Sequence, residues 1–497
     1  MGFLWKRGPS PPKKIPTDTV LPMPAWDDQR RMRHCCLHVT SRFDDVLSPE
    51  VLRQSLERLL QIDGWRTLGA RLRMRDDGKL EYHLPAQYDA ERPGFGFAVI
   101  KHAMCIKEHP LAARLPQATT QPSLLSDTAD VSSICLGPDC PRDIDDWLYS
   151  DRPQLAIDVV LFDDATLLTV TFLHTLTDAM GLSSFMKAWT SIINGREDQV
   201  PAFHSVGEDP MAQFTEKTPA KASVNFPFLL TGIRLFSFIL SYVFELLWYR
   251  GHNERVICIP GQYIDGLRNQ ALHDLSRDSQ HPAPFLSESD ILLAWWTKTL
   301  IKSLNPSPGR LISLLNVFDI RSTALPQSSS PNTALITNAA LVSITFLRVR
   351  QILNKPVSFI ASAIRTSLTQ QRTLPQIEAS FALQKSLSAK NAHPPMFGEA
   401  NSLLVCCTNW NRGRFFEVDF SAAVTKSGIP PTDRPNALGR PSFVVPTQHS
   451  RGPGLRNIGP IIGKDAAGNW WLSSTVRTSA WAGIERELDI LGGKKNR

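Results

Sequence analysis

His174-Thr175-Leu176-Thr177-Asp178-Ala179-Met180-Gly181 separates two segments of different period. Before it, the mainly apolar runs 155–162 and 166–173 flank Asp163-Asp164, which predicts a β-hairpin whose second strand ends at His174. After it, Leu182, Phe185, Met186, Trp189, Ile192 and Ile193 recur at helical spacing, and Gly195 closes the helix. A histidine where a strand gives way to a loop is held rigidly and stays within reach of a substrate, which suits a general base. Taken alone, the His-x3-Asp spacing has a plainer reading as well: Asp178 caps the helix and His174 is a half-buried core histidine.

Working outward, Ser48-Pro49-Glu50 predicts a helix start, with Val51, Leu52, Leu56, Leu59 and Leu60 as its apolar stripe. Leu68 to Met74 and Leu80 to Leu84 alternate with Arg71, Arg73, Arg75, Lys79, Glu81 and His83 across the turn Asp76-Asp77-Gly78, which predicts a hairpin with one wet face. Residues 110–150 show no period and read as loops. The second half repeats the mixture: a strand from Arg255, a helix opening at Ser287, strands at 311–317 and 341–347, and a helix over 357–371. Strands follow at 402–407, 416–420 and 458–463, then Trp470-Trp471-Leu472 beyond the turn Gly468-Asn469, and a last helix at 479–491. No strict βαβ order and no repeat appears. The fold class is α/β, two sandwich-like domains of mixed sheets flanked by helices. The expected division is a Pro-rich lead-in over 1–25, a first domain over 26–195, a crossover linker over 196–255 and a second domain over 256–497.

The 497 residues are 42% hydrophobic and 20% charged, with 37 Pro and 28 Gly, which excludes a disordered or coiled-coil chain. A net charge of +7 suits an anionic ligand or membrane surface. No basic arm or aromatic-basic repeat points to nucleic acid. The eight cysteines (Cys35, Cys36, Cys105, Cys135, Cys140, Cys258, Cys406, Cys407) are sparse and partly in apolar runs, as reduced thiols of a cytoplasmic protein would be. His34-Cys35-Cys36-Leu37-His38 is no metal site in a strand, where alternate side chains face opposite ways. Cys135-x4-Cys140 lacks zinc spacing. The opening MGFLWKRG fits neither a signal peptide nor the myristoylation pattern, since Lys6 stands where Ser or Thr is wanted.

Residues 226–249 are apolar apart from Pro227, Thr231, Gly232, Arg234, Ser237, Ser241 and Glu245. The last four are spaced 3, 4 and 4 apart and form one polar stripe on a helix. Two charges and a charge-free stretch of only 10 residues disfavour a membrane span. A helix lying on a membrane, or docked on the protein, is the first expectation, followed by a core helix. Lys217, Lys221, Arg250 and Arg255 flank it and would suit anionic headgroups.

Two further runs bear on the His loop: Asn316-Val317-Phe318-Asp319-Ile320-Arg321, and Thr408-Asn409-Trp410-Asn411-Arg412 on to Asp419-Phe420. With His174-x3-Asp178, and with Gly64-Trp65-Arg66-Thr67-Leu68-Gly69 near the start, they occur in the order of the BAHD acyltransferases. The chain resembles that family, most closely its fungal branch of trichothecene and terpenoid O-acetyltransferases. The resemblance implies two chloramphenicol-acetyltransferase-like domains with a channel between them, entered by an acyl-CoA from one mouth and an alcohol from the other. It implies that His174 is the catalytic general base, that Thr408 and Trp410 stabilise the tetrahedral oxyanion, and that Asp178, Arg321 and Asp419 support the site structurally. Acetyl-CoA is then the co-substrate, with no metal and no covalent acyl-enzyme, and the protein is expected to be a monomer. Proton removal by such a base is worth about 10²- to 10⁴-fold.

Two departures stand out. Ala179 occupies the family's glycine position after Asp178, where a positive φ would strain it. Asp419-Phe420-Ser421-Ala422-Ala423 lacks the glycines and tryptophan of the family's Asp-Phe-Gly-Trp-Gly. No Gly-x-Ser-x-Gly elbow supports a serine hydrolase, and Gly452-Pro453-Gly454 is no nucleotide loop. The expected function is O-acetylation of a lipophilic secondary metabolite; the alternative is an inactive, membrane-associated scaffold of the same fold.

Overall fold

The computed structural model describes residues 10–204, 209–214, 218–278, 285–325, 332–388, 394–450 and 455–493. Lys6, Lys217 and Gly452-Pro453-Gly454 lie outside the described residues. The main strands in chain order are β1 (Cys35–Phe43), β2 (Gly96–Lys101), β3 (Ser123–Asp127), β4 (Ala156–Leu161), β5 (Thr166–Leu173), β6 (His252–Ile259), β7 (Leu311–Asp319), β8 (Ala340–Arg348), β9 (Leu403–Asn409), β10 (Phe443–Ser450), β11 (Ile458–Lys464) and β12 (Trp470–Arg477). They form a five-stranded sheet, β10-β1-β5-β4-β2, and a seven-stranded sheet, β8-β7-β9-β11-β12-β6-β3. Both sheets are mixed, with parallel pairs at β4–β2, β7–β9 and β9–β11.

The sheets do not follow the halves of the chain. β3, from the first half, is an edge of the seven-stranded sheet, and β10, from the second, pairs with β1 in the five-stranded one. Every residue of β1 and β5 is buried, so this sheet is covered on both faces. The main helices are α1 (Pro49–Leu59), α2 (Ala179–Ile193), α3 (Gly232–Trp248), α4 (Gly261–Asp278), α5 (Glu288–Leu304), α6 (Val357–Gln371) and α7 (Trp481–Leu491). On α2, Leu182, Phe185, Met186 and Trp189 enter the first core, each burial stabilising by roughly 1.5–3 kcal/mol. The Trp189 indole N–H donates to Ser55 Oγ at 2.9 Å, fastening α2 to α1. A second core forms around α5, α6 and α7 against the seven-stranded sheet.

Several expectations need correction. Residues 110–150 contain β3 and two short helices, Thr128–Cys135 and Ile144–Leu148, capped by Asp127 and Asp143. Residues 416–420 are the end of a 3₁₀ turn (Phe415–Glu417) and irregular chain rather than a strand. The 71–84 hairpin has no wet face: Arg71, Arg73, Glu81 and His83 are all buried. Arg73 pairs with Asp151, Arg92 bridges Asp151 and Asp18, and His83 Nε2 meets Glu81 at 2.8 Å, so distant partners close over the charges.

α3 docks on the protein surface with Ser237, Ser241 and Glu245 of its polar stripe partly buried and Arg234 exposed. Arg234 donates to the Gly398 carbonyl at 3.2 Å, and Glu245 pairs with Arg310. No helix among the described residues is long and apolar enough to cross a membrane.

Candidate active site

Main-chain pairing fixes His174. Its N–H donates to the Cys35 carbonyl at 2.8 Å, one step beyond the last β1–β5 pair, Cys36 opposite Leu173. The chain then turns, and Asp178 becomes the N-cap of α2, with extended backbone and a carboxylate that accepts from Met180 N–H at 3.0 Å and Gly181 N–H at 2.9 Å. Ala179 is the first helical residue. It is not among the positive-φ residues, which outside glycine are Asn305, Arg414 and Asn457 in the described chain, so the strain expected there does not arise. The crowded position is Gly181, where a Cβ would lie 2.1 Å from Thr177 Oγ1 and 2.3 Å from the Ile336 carbonyl oxygen.

Arg321, just beyond the end of β7, meets Asp178 side-on, Nη1 donating to Oδ2 at 3.1 Å and Nη2 to Oδ1 at 2.9 Å. Its remaining donors reach Asp319 Oδ1 (2.8 Å), Leu335 O (3.1 Å) and Thr337 O (2.7 Å). Asp178 also accepts from Ala339 N–H at 2.8 Å. Burial pushes the Asp178 carboxyl up, but Arg321 and the backbone donors outweigh it and hold the group below the usual carboxylate range. Each side chain of the pair therefore binds loops from both halves of the chain.

A second tie was not visible in the sequence. Asn338 Nδ2 donates to the His174 carbonyl at 2.8 Å and to Asp27 Oδ1 at 2.6 Å, and Asn338 N–H donates to the same oxygen at 2.9 Å. Burial raises the Asp27 carboxyl well above its ordinary pKa, against the pull of Asn338. Asp27 and Asn338 stand 311 positions apart, and neither belongs to a motif quoted above.

His174 is partly exposed as a residue, although protein surrounds it closely. The ring nitrogen Nδ1 is buried and has no hydrogen-bond partner. Burial holds the imidazole below its ordinary pKa; its own carbonyl, Asp178 and Asn338 oppose this, while Arg31 adds to it. Arg31 is likewise exposed yet deep, and its charge also acts on Cys35 and Cys406.

Cys406 and Thr408 share the half-exposed face of β9, while Val405 and Cys407 enter the second core. The charge of Arg31 thus acts both on His174 and on Cys406 of the strand that carries Thr408. Trp410 packs into the first core against Phe415, ring centroids 5.6 Å apart. Ser183 Oγ on α2 donates to the Gly413 carbonyl at 2.7 Å, binding the His helix to the Trp410 loop. Asp419 caps Ser421 N–H at 3.0 Å, its carbonyl accepts from Asn194 at 2.7 Å, and its carboxylate lies 3.8 Å from Arg196. Where the family's glycines are missing, Gly439 comes in from another loop: its carbonyl accepts from Phe420 N–H at 2.9 Å, and a Cβ on it would lie 2.3 Å from Ser421 N.

An open cleft beside the far end of α2 is lined by Lys187, Arg196, Arg412, Arg414 and Arg440, opposed by Glu417 and Asp419. Among the described residues, no group of three or more His, Cys, Asp and Glu side chains could hold a metal ion.

No family model matches the chain. Curated relatives do. Acetyltransferase adrJ of Penicillium roqueforti is 40% identical over 99% of this chain and 100% of its own length. A protein of Penicillium decumbens named transcriptional regulator calD is 38% identical over 98% of both chains. Of solved structures, Fusarium sporotrichioides TRI101 complexed with coenzyme A and T-2 matches with a TM-score of 0.63 at 14% identity, covering 94% of this chain and 97% of that one.

Proposed function

The chain belongs to the fungal branch of the BAHD acyltransferases of secondary metabolism, and on that premise we propose that it carries an acetyl group from acetyl-CoA to a hydroxyl of a lipophilic terpenoid or polyketide alcohol, with His174 as general base and no covalent acyl-enzyme. The observation that carries the proposal is His174 itself, partly exposed at the end of β5 and held there through its backbone by the Cys35 carbonyl and by Asn338. A neutral imidazole accepts a proton, and burial keeps this one neutral at physiological pH. In the proposed step Nε2 takes the acceptor's hydroxyl proton while the oxygen attacks the thioester carbonyl. The tetrahedral oxyanion needs a donor, a role we assign to the Thr408 hydroxyl. Trp410, packed in the core, holds the end of β9 in place. Collapse expels the CoA thiolate, which takes the proton from the imidazolium.

The cationic cleft beside α2 is suited to the phosphates of CoA. Lys187 and Ser191 lie eight and twelve residues along α2 from Ala179, about 12–18 Å at 1.5 Å per residue, a span of the order that a pantetheine arm bridges. The name given to calD concerns that protein; no observation in this chain favours a regulatory reading.

The test is incubation of the protein and its His174→Ala variant with acetyl-CoA and a panel of terpenoid and polyketide alcohols, following free CoA and product mass. Acceptor-dependent CoA release that falls about 10²- to 10⁴-fold in the variant supports the assignment. Equal release by both proteins removes His174 as the base.

A further inference from the structure

Surface helices of water-soluble proteins turn polar residues outward, and α3 does the reverse. Its Glu245 faces the protein and its exposed Arg234 reaches back to the Gly398 carbonyl, while Ile233 (75%), Phe236 (57%), Leu240 (53%), Phe244 (61%), Leu247 (64%) and Trp248 (69%) are exposed. These six recur at spacings of 3, 4, 4, 3 and 1, one continuous stripe, and Phe244 and Trp248 stack at 5.6 Å. Such an apolar patch marks a surface that meets something other than water.

The second observation lies behind the C-terminal half of the same helix. A cleft between α3 and the seven-stranded sheet is lined by Arg310, Arg456 and Arg477 together with Tyr242, Glu245 and Tyr249. Three guanidinium groups face one carboxylate. Arg310 pairs with Glu245; Arg456 Nη1 donates only to the Glu245 backbone carbonyl, at 3.2 Å; Arg477 lies 4.0 Å from the centroid of the Tyr249 ring and donates to the Leu304 carbonyl at 2.6 Å. The Nε atoms of Arg456 and Arg477 are buried and have no hydrogen-bond partner. A buried guanidinium N–H without an acceptor is costly, and three guanidinium groups against the single carboxylate of Glu245 leave the cleft with an excess of positive charge that an anionic group would balance. Exposed Arg250 follows the helix and adds cationic charge at the same end.

We propose that α3 is an interfacial anchor: its outer stripe lies among the acyl chains of a bilayer surface, and the Arg310–Arg456–Arg477 cleft takes the phosphate or carboxylate of an anionic lipid headgroup. An in-plane helix of this kind has its axis near headgroup level, with aromatic residues at its end, as Trp248 and Tyr249 are here. Charge complementarity selects a lipid surface over a second copy of a chain whose net charge is +7. The inference does not depend on acyl transfer.

The experiment is co-sedimentation of the full chain with vesicles of phosphatidylcholine alone, and of phosphatidylcholine with roughly a third phosphatidylserine. Wild type is expected to bind both, more strongly the anionic vesicles. Phe244→Ser/Leu247→Ser, which alters exposed positions only, should lower the partition coefficient for both by about tenfold or more. Arg456→Gln should lose the preference for phosphatidylserine and keep the binding to phosphatidylcholine. A thermal melt of each variant checks folding, and acyl transfer to a soluble acceptor, read in the same preparations, keeps a failure here apart from a failure of the enzymatic reading. Wild type that stays in the supernatant with both vesicles overturns the proposal. So does a wild-type dimer that the double variant converts to monomer, since a second copy then covers the stripe. Arg456→Gln with full phosphatidylserine preference removes the headgroup site.

Discussion

Asp178→Asn separates a structural clamp from a proton relay. The Asp178 carboxylate accepts five N–H groups: Met180, Gly181 and Arg321 Nη2 on Oδ1, and Ala339 and Arg321 Nη1 on Oδ2. An asparagine amide keeps an acceptor on one side only. With its NH2 toward the Oδ2 partners, two donors confront a third. Arg321 Nη1 retains Asp319, but Ala339 N–H is buried and left unpaired, at about 1–3 kcal/mol. Loss of one member of a buried ion pair costs about 3–5 kcal/mol, a range that includes this orphaned donor. The expected destabilisation is therefore about 3–5 kcal/mol, read as a lowered urea midpoint at unchanged slope. In the fraction that stays folded, turnover should persist, and the acid limb of the rate profile should move slightly to lower pH, because the Asp178 charge raises the His174 pKa. A midpoint change equivalent to less than about 1 kcal/mol would refute the clamp. Loss of turnover as complete as in His174→Ala, in a protein of undiminished stability, would make Asp178 part of the proton path.

Gly181→Ala places a methyl group 2.1 Å from Thr177 Oγ1 and 2.3 Å from Ile336 O, and α2 has to move; a loss of about 1–3 kcal/mol, read by thermal melting, is expected. Asn338→Ala frees the His174 carbonyl and takes from Asp27 its side-chain donor while the backbone N–H of residue 338 stays, so kcat should fall about 10- to 100-fold, as a loss of roughly 1–3 kcal/mol implies; an unchanged kcat would show that Asn338 does not position the base. His38 is held down to about 4 by burial, with His449 and Arg142 adding to it, against about 6.5 when unfolded. A folded-state pKa below the unfolded one gives stability that is full above about 6.5 and lost as pH falls toward 4, on the order of 3 kcal/mol for this group. Urea midpoints across that range should flatten in His38→Gln.

What the sequence discloses is what repeats within a short window. The apolar stripe and the terminating glycine placed α2, and the helix expected over about 357–371 is α6. Contacts made across hundreds of residues were out of reach. Arg71 and Arg73 alternate as a wet strand face does, and only Asp151 and Arg92, closing from other loops, turn that face inward. The polar stripe of α3 was legible from its 3-4-4 spacing, but periodicity does not say which face meets solvent. In the site, His174, Asp178 and Arg321 were legible because motifs carry them. Asp27 and Asn338 are single residues whose meaning lies in their meeting. The glycine missing after Asp178 was read as a source of strain because the pattern fixed on a position, whereas the fold places its tight contact two residues later, at Gly181.

The crossed strands give the protein a history on the ribosome. β1, the strand that hands its Cys35 carbonyl to His174, waits for β10 as its outer neighbour. When β5 has been made, some 270 residues remain to be translated before β10 exists, roughly 15–50 s at 5–20 residues per second. For that time β1 presents unpaired backbone groups along an apolar edge, the template on which chains pair with one another. The second sheet, by contrast, receives its edge β3 early and must keep it unpaired until β6 is made. A gene cut between the halves would yield two pieces, each lacking an edge that only the other encodes; mixed after separate synthesis, they would have to find each other before either finds its own copies.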